Sequence, residues 1–152
     1  MPEAHGHEAG GITSSPLGED VNYFSCPLEW DTGNYITDNI PAVQEFFHII
    51  SNEENYPLIF HCNIGTDRTG LFAFLINGLL GVSEEDLYRD YLFSNFANIN
   101  GSRSLDNIRN KYLSTVFGCD GETLAEKIEN CLLTVAGVPM SEIDAVKMIL
   151  TA

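Results

Sequence analysis

The sequence predicts an α/β fold with a central sheet flanked by helices and a helical C-terminal third. Residues 21–28 are rich in β-branched and aromatic side chains, and residues 56–62 are almost continuously apolar, as short strands are. Longer segments repeat apolar residues at the three- and four-residue spacing of amphipathic helices. Since a glycine-containing loop and a helix follow residues 56–62, we expect a strand, loop and helix unit in mid-chain.

Six segments are predicted to be helices from this spacing and from residues that start or end helices. Asn39 is favoured at helix N-caps, and Pro41 fits the first turn of the helix that follows it. Gly81 is placed to end the second helix, and Ser83 is placed to cap the third. The predicted helices cover residues 40–51, 68–81, 83–95, 104–117, 122–137 and 141–150.

Length and composition bound the class of protein. The 152 residues suit one domain, in which residues 1–20, rich in Gly, Ser, Pro and His, predict a flexible arm and residues 21–152 the folded domain. No apolar run approaches the roughly 18 residues of a membrane span. The first residues also lack the basic and apolar regions of a secretory signal, so we expect a cytoplasmic protein.

Charge and cysteine content exclude further classes. The chain carries 22 Asp and Glu against 7 Lys and Arg, a net charge of −15 that repels nucleic acids and anionic membranes. The four cysteines have no CxxC spacing, so they are expected to be free thiols in a reducing compartment. An anion that binds this chain must therefore be held by a strong local feature.

The segment between residues 62 and 68 has the pattern of an anion-binding loop. A loop that leads into a helix points backbone N–H groups into one concavity, and the helix N-terminus adds partial positive charge. Gly65 supplies the backbone freedom that a sharp loop needs. The predicted phosphate-binding residues are Asn63, Ile64, Gly65, Thr66, Asp67 and Arg68.

Cys62 and Arg68 bracket this loop and indicate phosphoryl transfer. Helix-terminal amides and a nearby guanidinium can lower a thiol pKa from about 8.5 by several units, which leaves a nucleophilic thiolate at neutral pH. A guanidinium can bind two phosphoryl oxygens at once. The pattern therefore predicts transfer of a phosphoryl group to sulfur without a metal or another cofactor.

Residues 61–70, "HCNIGTDRTG", resemble the phosphate-binding loop of the cysteine-based protein tyrosine phosphatase superfamily. Together with "DYLFSN" at residues 90–95 and "GVPMSEIDAV" at residues 137–146, they are similar to the atypical, dual-specificity-like branch of bacterial and fungal tyrosine phosphatases. The resemblance implies that Cys62 is the nucleophile, that a phosphocysteine intermediate forms, and that Arg68 binds the phosphoryl group.

The resemblance also implies roles for two neighbours of these residues. Thr69 would donate a hydrogen bond to the sulfur as the intermediate breaks down. His61 would help to set the pKa of the thiolate without contacting the substrate. The alternative is a buried, hydrogen-bonded core histidine, and the two interpretations are compatible.

Two aspartates compete for the role of general acid, which protonates the departing oxygen. Asp31 lies 31 residues before Cys62 on a predicted loop, and the superfamily keeps its acid on such a loop at similar separation. Asp67 lies inside the phosphate-binding loop and could protonate the leaving group or orient Arg68. Asp31 is the favoured acid, and an organising role is favoured for Asp67.

The sequence departs from the family pattern in two places. Atypical members that accept phosphoinositides often carry a lysine where this chain has Thr66, which favours a phosphotyrosine protein or small phosphoester over an inositol lipid. The superfamily sheet has four or more strands, whereas only two are predicted here. We therefore expect a sheet that is incomplete at its N-terminal side or completed by another chain, and an exposed edge would allow two copies to pair.

The leading prediction is a phosphotyrosine or dual-specificity phosphomonoester phosphatase. The main alternative is a catalytically impaired module that binds phosphorylated ligands through the same loop. A sulfurtransferase or an arsenate reductase also uses a cysteine loop, but the mid-chain position and the helices downstream fit a phosphatase better.

Overall fold

The computed structural model describes residues 14–29, 32–99 and 101–152. Six α-helices account for most of the ordered secondary structure in these ranges. In chain order they are α1 (Ile40–Ile50), α2 (Asp67–Leu79), α3 (Glu84–Phe93), α4 (Ser114–Gly118), α5 (Leu124–Asn130) and α6 (Met140–Leu150). Short 3₁₀-helices lie at Thr37–Asn39, Glu53–Asn55 and Ser94–Phe96, and π-helical turns at Asn107–Tyr112 and Cys131–Val135.

The predicted α/β fold with a central sheet is wrong, because the described residues contain helices and no β-strand. Residues 21–28 and 56–62, predicted as strands, have no regular structure. In the second segment Leu58 and Phe60 pack against the helical core, whereas Ile59 between them is 80% exposed. The segment keeps the alternation of a strand, but no neighbouring strand supplies a hydrogen-bonded ladder.

The same observation contradicts the prediction of an incomplete sheet. A sheet edge that could pair with a second copy requires a sheet, and the part of the chain that the structure describes has none. Apolar side chains of the two segments instead pack against the helical core, to which α1 and α2 contribute many buried residues.

Helices α1, α2 and α6 confirm the predicted helices at 40–51, 68–81 and 141–150 to within one or two residues. Gly81 follows α2 with φ of +85°, a left-handed conformation that favours glycine at a helix C-terminus. Asn39 precedes α1 as predicted, but its side chain does not cap the helix. It exchanges hydrogen bonds with the backbone of Glu29 at 2.6 and 3.1 Å and so ties the N-terminal segment to α1.

Helix α3 confirms the third predicted helix, and the Ser83 hydroxyl accepts the Asp86 N–H as its cap. The predicted helices 104–117 and 122–137 are instead divided into π-helical and α-helical parts. In a π-helical turn the N–H of Leu113 reaches the carbonyl of Ile108 five residues back. The wider turn allows residues on more than one face to enter the core, and Ile108, Tyr112, Leu113 and Val116 are all buried.

Helix α2 lies at the centre of the core and is apolar on almost every side, as predicted. It packs against α5 and α3, while α1 packs against α6. Gly78 allows close packing, since a Cβ there would collide with the Ile128 side chain on α5. This packing holds the first turn of α2, and with it the loop that follows Cys62, in a defined position. Within the described ranges, no helix is long and apolar enough to span a membrane.

Candidate active site

The loop at residues 63–66 joins the extended segment to helix α2. Gly65 has φ of +70°, so the turn uses the left-handed conformation that glycine adopts without strain. Asp67 is the first residue of α2, and Thr66 precedes it without a side-chain capping bond. The prediction of a glycine-containing loop that leads into a helix is therefore confirmed, although the predicted strand before it is wrong.

Cys62 is half-buried at the end of the extended segment, and its pKa lies below the usual value of a thiol. Burial by itself raises this pKa. Hydrogen bonding from the Thr69 side chain and from the backbone N–H groups of Thr69, Thr66 and Gly65 outweighs burial and lowers it. The loop amides therefore face the sulfur, as expected for a cradle that stabilises negative charge.

Two other cysteines differ from Cys62 in this respect. Burial and the nearby carboxylate of Glu45 raise the pKa of Cys26 to about 11. Burial and the neighbouring Cys119 thiol raise the pKa of Cys131. Cys62 is thus the thiol for which the surroundings favour the charged form.

Thr69 lies one turn into α2, and its hydroxyl is the polar side-chain group that acts on the sulfur. The hydroxyl is buried, and among the described residues the Cys62 sulfur is the group on which it acts, although the two do not meet in regular hydrogen-bond geometry. We therefore regard it as a close electrostatic neighbour of Cys62 whose hydrogen atom can turn toward the sulfur. That Thr69 donates a hydrogen bond to the sulfur as an intermediate breaks down stays a prediction.

Arg68 and His61 flank the thiol on the two sides of the loop. Arg68 is the second residue of α2 and is partly buried. His61 is exposed, not buried, and its ring Nδ1 lies 3.0 Å from the backbone oxygen of Cys62. The imidazole thus contacts the backbone beside the thiol and is open to solvent.

The remaining predicted binding residues divide into exposed and buried groups. Asn63, Ile64 and Gly65 are exposed. Thr66 is 3% exposed, and its hydroxyl points back to the Ile64 carbonyl oxygen at 3.4 Å. The Thr66 side chain is therefore buried and hydrogen-bonded within the loop.

Asp67 is 3% exposed and accepts hydrogen bonds from three side chains that the sequence did not identify. Arg103 binds it with two nitrogens, Nε to Oδ1 at 2.7 Å and Nη2 to Oδ2 at 2.8 Å. The hydroxyls of Tyr112 and Tyr91 donate to Oδ1 at 3.0 and 3.4 Å. The carboxylate is therefore saturated with donors and faces the helices, not the loop opening.

The tyrosines in this cluster are suited to donate. Burial raises the pKa of Tyr91 and of Tyr112, and the charge of Asp67 raises both further. The hydrogen bond to Asp67 raises the pKa of Arg103 despite its burial. Each partner is thus stabilised in the protonation state that the hydrogen bonds require.

The segment that carries Arg103 is itself fixed to the end of α3. The Asn95 side chain accepts the N–H of Arg103 at 2.7 Å and donates to its carbonyl oxygen at 2.9 Å. On the other side, Gly70 of α2 lies against the Tyr91 ring, where a Cβ would come within 3.0 Å. The motif "DYLFSN" singled out in the sequence therefore packs beside the loop, with Tyr91 and Asn95 as its contacting residues.

Asp31, the favoured general acid, lies outside the described residues. A cavity of about 520 Å³ lies beside α1, and its lining includes Phe24 and His48 but no residue of the loop. Among the described residues, no group of three or more His, Cys, Asp or Glu is placed to hold a metal ion.

A model of the tyrosine phosphatase family matches residues 30–143, which include the loop and the Arg103 cluster. The chain belongs to the tyrosine phosphatase family. The resemblance seen in residues 61–70 is therefore confirmed at the level of the family.

Two curated relatives match shorter parts of this tyrosine phosphatase family member. The Cupriavidus necator protein named "Putative tyrosine-protein phosphatase" is 49% identical over 41 residues, 27% of this chain and 15% of the relative. The Nostoc commune protein named "Tyrosine-protein phosphatase" is 33% identical over 54 residues, 36% of this chain and 18% of the relative. The chain thus covers less than a fifth of each. No solved structure matches it significantly.

Proposed function

We propose that this chain hydrolyses phosphomonoesters, with phosphotyrosine in proteins as the substrate class, through a phosphocysteine intermediate on Cys62. The observation that carries the proposal is the lowered pKa of Cys62 at the mouth of a loop whose backbone amides face the sulfur. A thiolate in such a cradle is a strong nucleophile at neutral pH.

In the proposed reaction the Cys62 thiolate attacks phosphorus, a sulfur–phosphorus bond forms, and the bond to the leaving oxygen breaks. Arg68 and the loop amides bind the non-bridging oxygens, which carry the charge as the phosphoryl group transfers. Water then attacks the phosphocysteine, which releases inorganic phosphate and restores the thiolate. The Thr69 hydroxyl, beside the sulfur, stabilises the thiolate as it leaves.

We assign the general acid to Asp31 and an organising role to Asp67. Both oxygens of Asp67 accept hydrogen bonds from Arg103, so this side chain acts as a carboxylate and has no proton to donate. Asp31 is the other candidate, 31 residues before Cys62 in the sequence.

The preference for phosphotyrosine over an inositol lipid rests on charge. A lysine at the position of Thr66 would add a cation to the loop, whereas Thr66 is neutral and buried. The net charge of −15 also disfavours approach to an anionic membrane surface. Phosphopeptides and soluble phosphoinositides assayed side by side would test this preference, which a higher kcat/KM on the phosphoinositide would overturn.

The central test is hydrolysis of an aryl phosphate by the wild-type chain and by Cys62→Ser. We expect the variant to lose at least about 10³-fold in kcat because a serine hydroxyl is not ionised at neutral pH. Cys26→Ser is the matched control, since Cys26 is also half-buried but has a raised pKa, and it should retain activity. Turnover that persists in Cys62→Ser would refute the nucleophile.

Two further results would redirect the proposal. If neither protein turns over but the wild type binds vanadate, the chain is a module that binds phosphorylated ligands. The pH–rate profiles of Asp31→Asn and Asp67→Asn identify the acid, because the group that supplies the proton is the one whose removal abolishes the basic limb.

A further inference from the structure

Arg103 makes the strongest set of contacts with the phosphate-binding loop from outside it. Its side chain is 11% exposed, it binds both oxygens of Asp67, and its own backbone is held by Asn95. The partner, Asp67, lies 36 residues earlier in the chain and is the first residue of α2. Arg103 therefore connects the segment after α3 to the residue that directly precedes Arg68.

We propose that Arg103 is a positioning residue that neutralises Asp67 and thereby maintains both the shape of the loop and the reactivity of the Cys62 thiol. It does not touch the reacting atoms and acts through Asp67. The proposal rests on the proposed function only in taking Cys62 as the reacting thiol.

The first reason is electrostatic. Asp67 is a buried carboxylate at the start of α2, five residues after Cys62, and a negative charge close to a thiol disfavours its thiolate. The guanidinium of Arg103 opposes this charge because it binds the carboxylate bidentately at 2.7 and 2.8 Å. The pair thus presents little net charge to the sulfur.

The second reason is geometric. Two parallel hydrogen bonds from a guanidinium fix the plane of a carboxylate, and Tyr91 and Tyr112 hold it from α3 and from the π-helical turn. The first turn of α2 is therefore fixed from three directions. The N–H groups of Thr66 and Thr69, which lie on either side of Asp67, lower the pKa of Cys62 in this arrangement.

The experiment measures how fast iodoacetamide alkylates Cys62 as a function of pH, with mass spectrometry of the Cys62 peptide. This readout needs no phosphatase activity, so it can fail while hydrolysis stands, or hold if hydrolysis is absent. The titratable or charged neighbours His61, Arg68, Tyr91 and Tyr112 are kept in every variant.

The electrostatic effect predicts opposite shifts for the two members of the pair. Arg103→Met should slow alkylation at neutral pH by roughly three- to tenfold, because the unpaired carboxylate raises the pKa of Cys62. Asp67→Asn should speed alkylation at pH values below the pKa of Cys62. It removes the negative charge of the carboxylate while the Arg103 guanidinium keeps its positive charge, and this change lowers the pKa of the thiol. The double variant should lie between the two. Arg103→Lys, which keeps the charge but not the two parallel hydrogen bonds, should lie between the wild type and Arg103→Met.

Arg89→Met is the matched control, since Arg89 is an exposed arginine on α3 that pairs with Glu85 and Asp86. It should leave both alkylation and hydrolysis unchanged. If Arg103→Met does not fold, Asp67→Asn and the double variant still give the sign of the effect. Asp67→Asn keeps the shape of the side chain and one oxygen acceptor, so it changes the charge more than the geometry. Slower or unchanged alkylation in Asp67→Asn, or unchanged alkylation in Arg103→Met, would overturn the proposal.

Discussion

The two ends of the phosphate-binding loop differ sharply in how they are held. At the Cys62 end the preceding segment packs against the core with Leu58 and Phe60, while Ile59 is 80% exposed. At the Asp67 end the carboxylate is buried and accepts four hydrogen bonds from side chains of other segments. One end is held on a single face, and the other is held from several directions.

The difference teaches how the work of the site is divided. The buried end fixes the first turn of α2, which carries Arg68 and the amides that face the sulfur. The half-exposed end presents the thiol, whose charge depends on polar contacts from the fixed end. A firmly held end beside an accessible thiol is the arrangement that the proposed reaction requires, because the thiol must remain open to a substrate.

Asp67→Ala tests the buried end and should have the largest effect on stability. It leaves the largely buried Arg103 guanidinium and two tyrosine hydroxyls without their acceptor, so we expect a loss of about 2–4 kcal/mol in the free energy of unfolding. Urea denaturation measures the loss. Tyr91→Phe, which removes one long hydrogen bond, is the control and should cost about 1 kcal/mol or less. Equal stability of Asp67→Ala and wild type would show that the cluster does not hold the loop.

Phe60→Ala and Ile59→Ala test the half-exposed end as a pair. Phe60 meets the Phe46 ring edge-on at 5.2 Å, so its truncation should cost about 1–3 kcal/mol. Ile59 is exposed, and its truncation should change stability by about 0.5 kcal/mol or less. Thermal melts of both variants measure these two losses in stability. If Ile59→Ala proved the more destabilising, the segment would have a partner on its outer face.

Thr69→Val removes a hydroxyl with almost no change in the shape of the side chain. It therefore tests how the first turn of α2 acts on the Cys62 thiol. Loss of the hydroxyl should raise the pKa of Cys62, so alkylation at neutral pH should slow severalfold and its midpoint should move to higher pH. The pH profile of alkylation gives both quantities, with Thr66→Val as the control because the Thr66 hydroxyl does not contact the sulfur.

The same lowered pKa links stability to pH. The pKa of Cys62 is lower in the folded protein than in the unfolded chain, so its thiolate stabilises the fold. This stability is fully present above the ordinary pKa of a thiol and is lost as pH falls through the pKa of Cys62 in the folded protein. The stability difference between wild type and Thr69→Val should therefore grow as pH rises through that window. A difference independent of pH would mean that the hydroxyl acts only through packing.

Local patterns explain which parts of this molecule the sequence could predict. Helices α1, α2, α3 and α6 follow from apolar spacing within each segment and from end residues such as Ser83 and Gly81. The helices predicted at 104–117 and 122–137 were located correctly but include π-helical turns. The sequence did not predict these turns, because the neighbouring helices decide which of these side chains are buried. The predicted sheet failed for a related reason: a strand exists only beside another strand.

The loop "HCNIGTDRTG" determined the family, because a short run of residues carries that information. Only the tertiary structure decided what Asp67 does. Its partners Tyr91, Arg103 and Tyr112 lie 24, 36 and 45 residues away, and no spacing rule connects them. Buried charge must be paired wherever the fold brings a partner, so the choice of partner is a property of the packed chain and not of any segment of it.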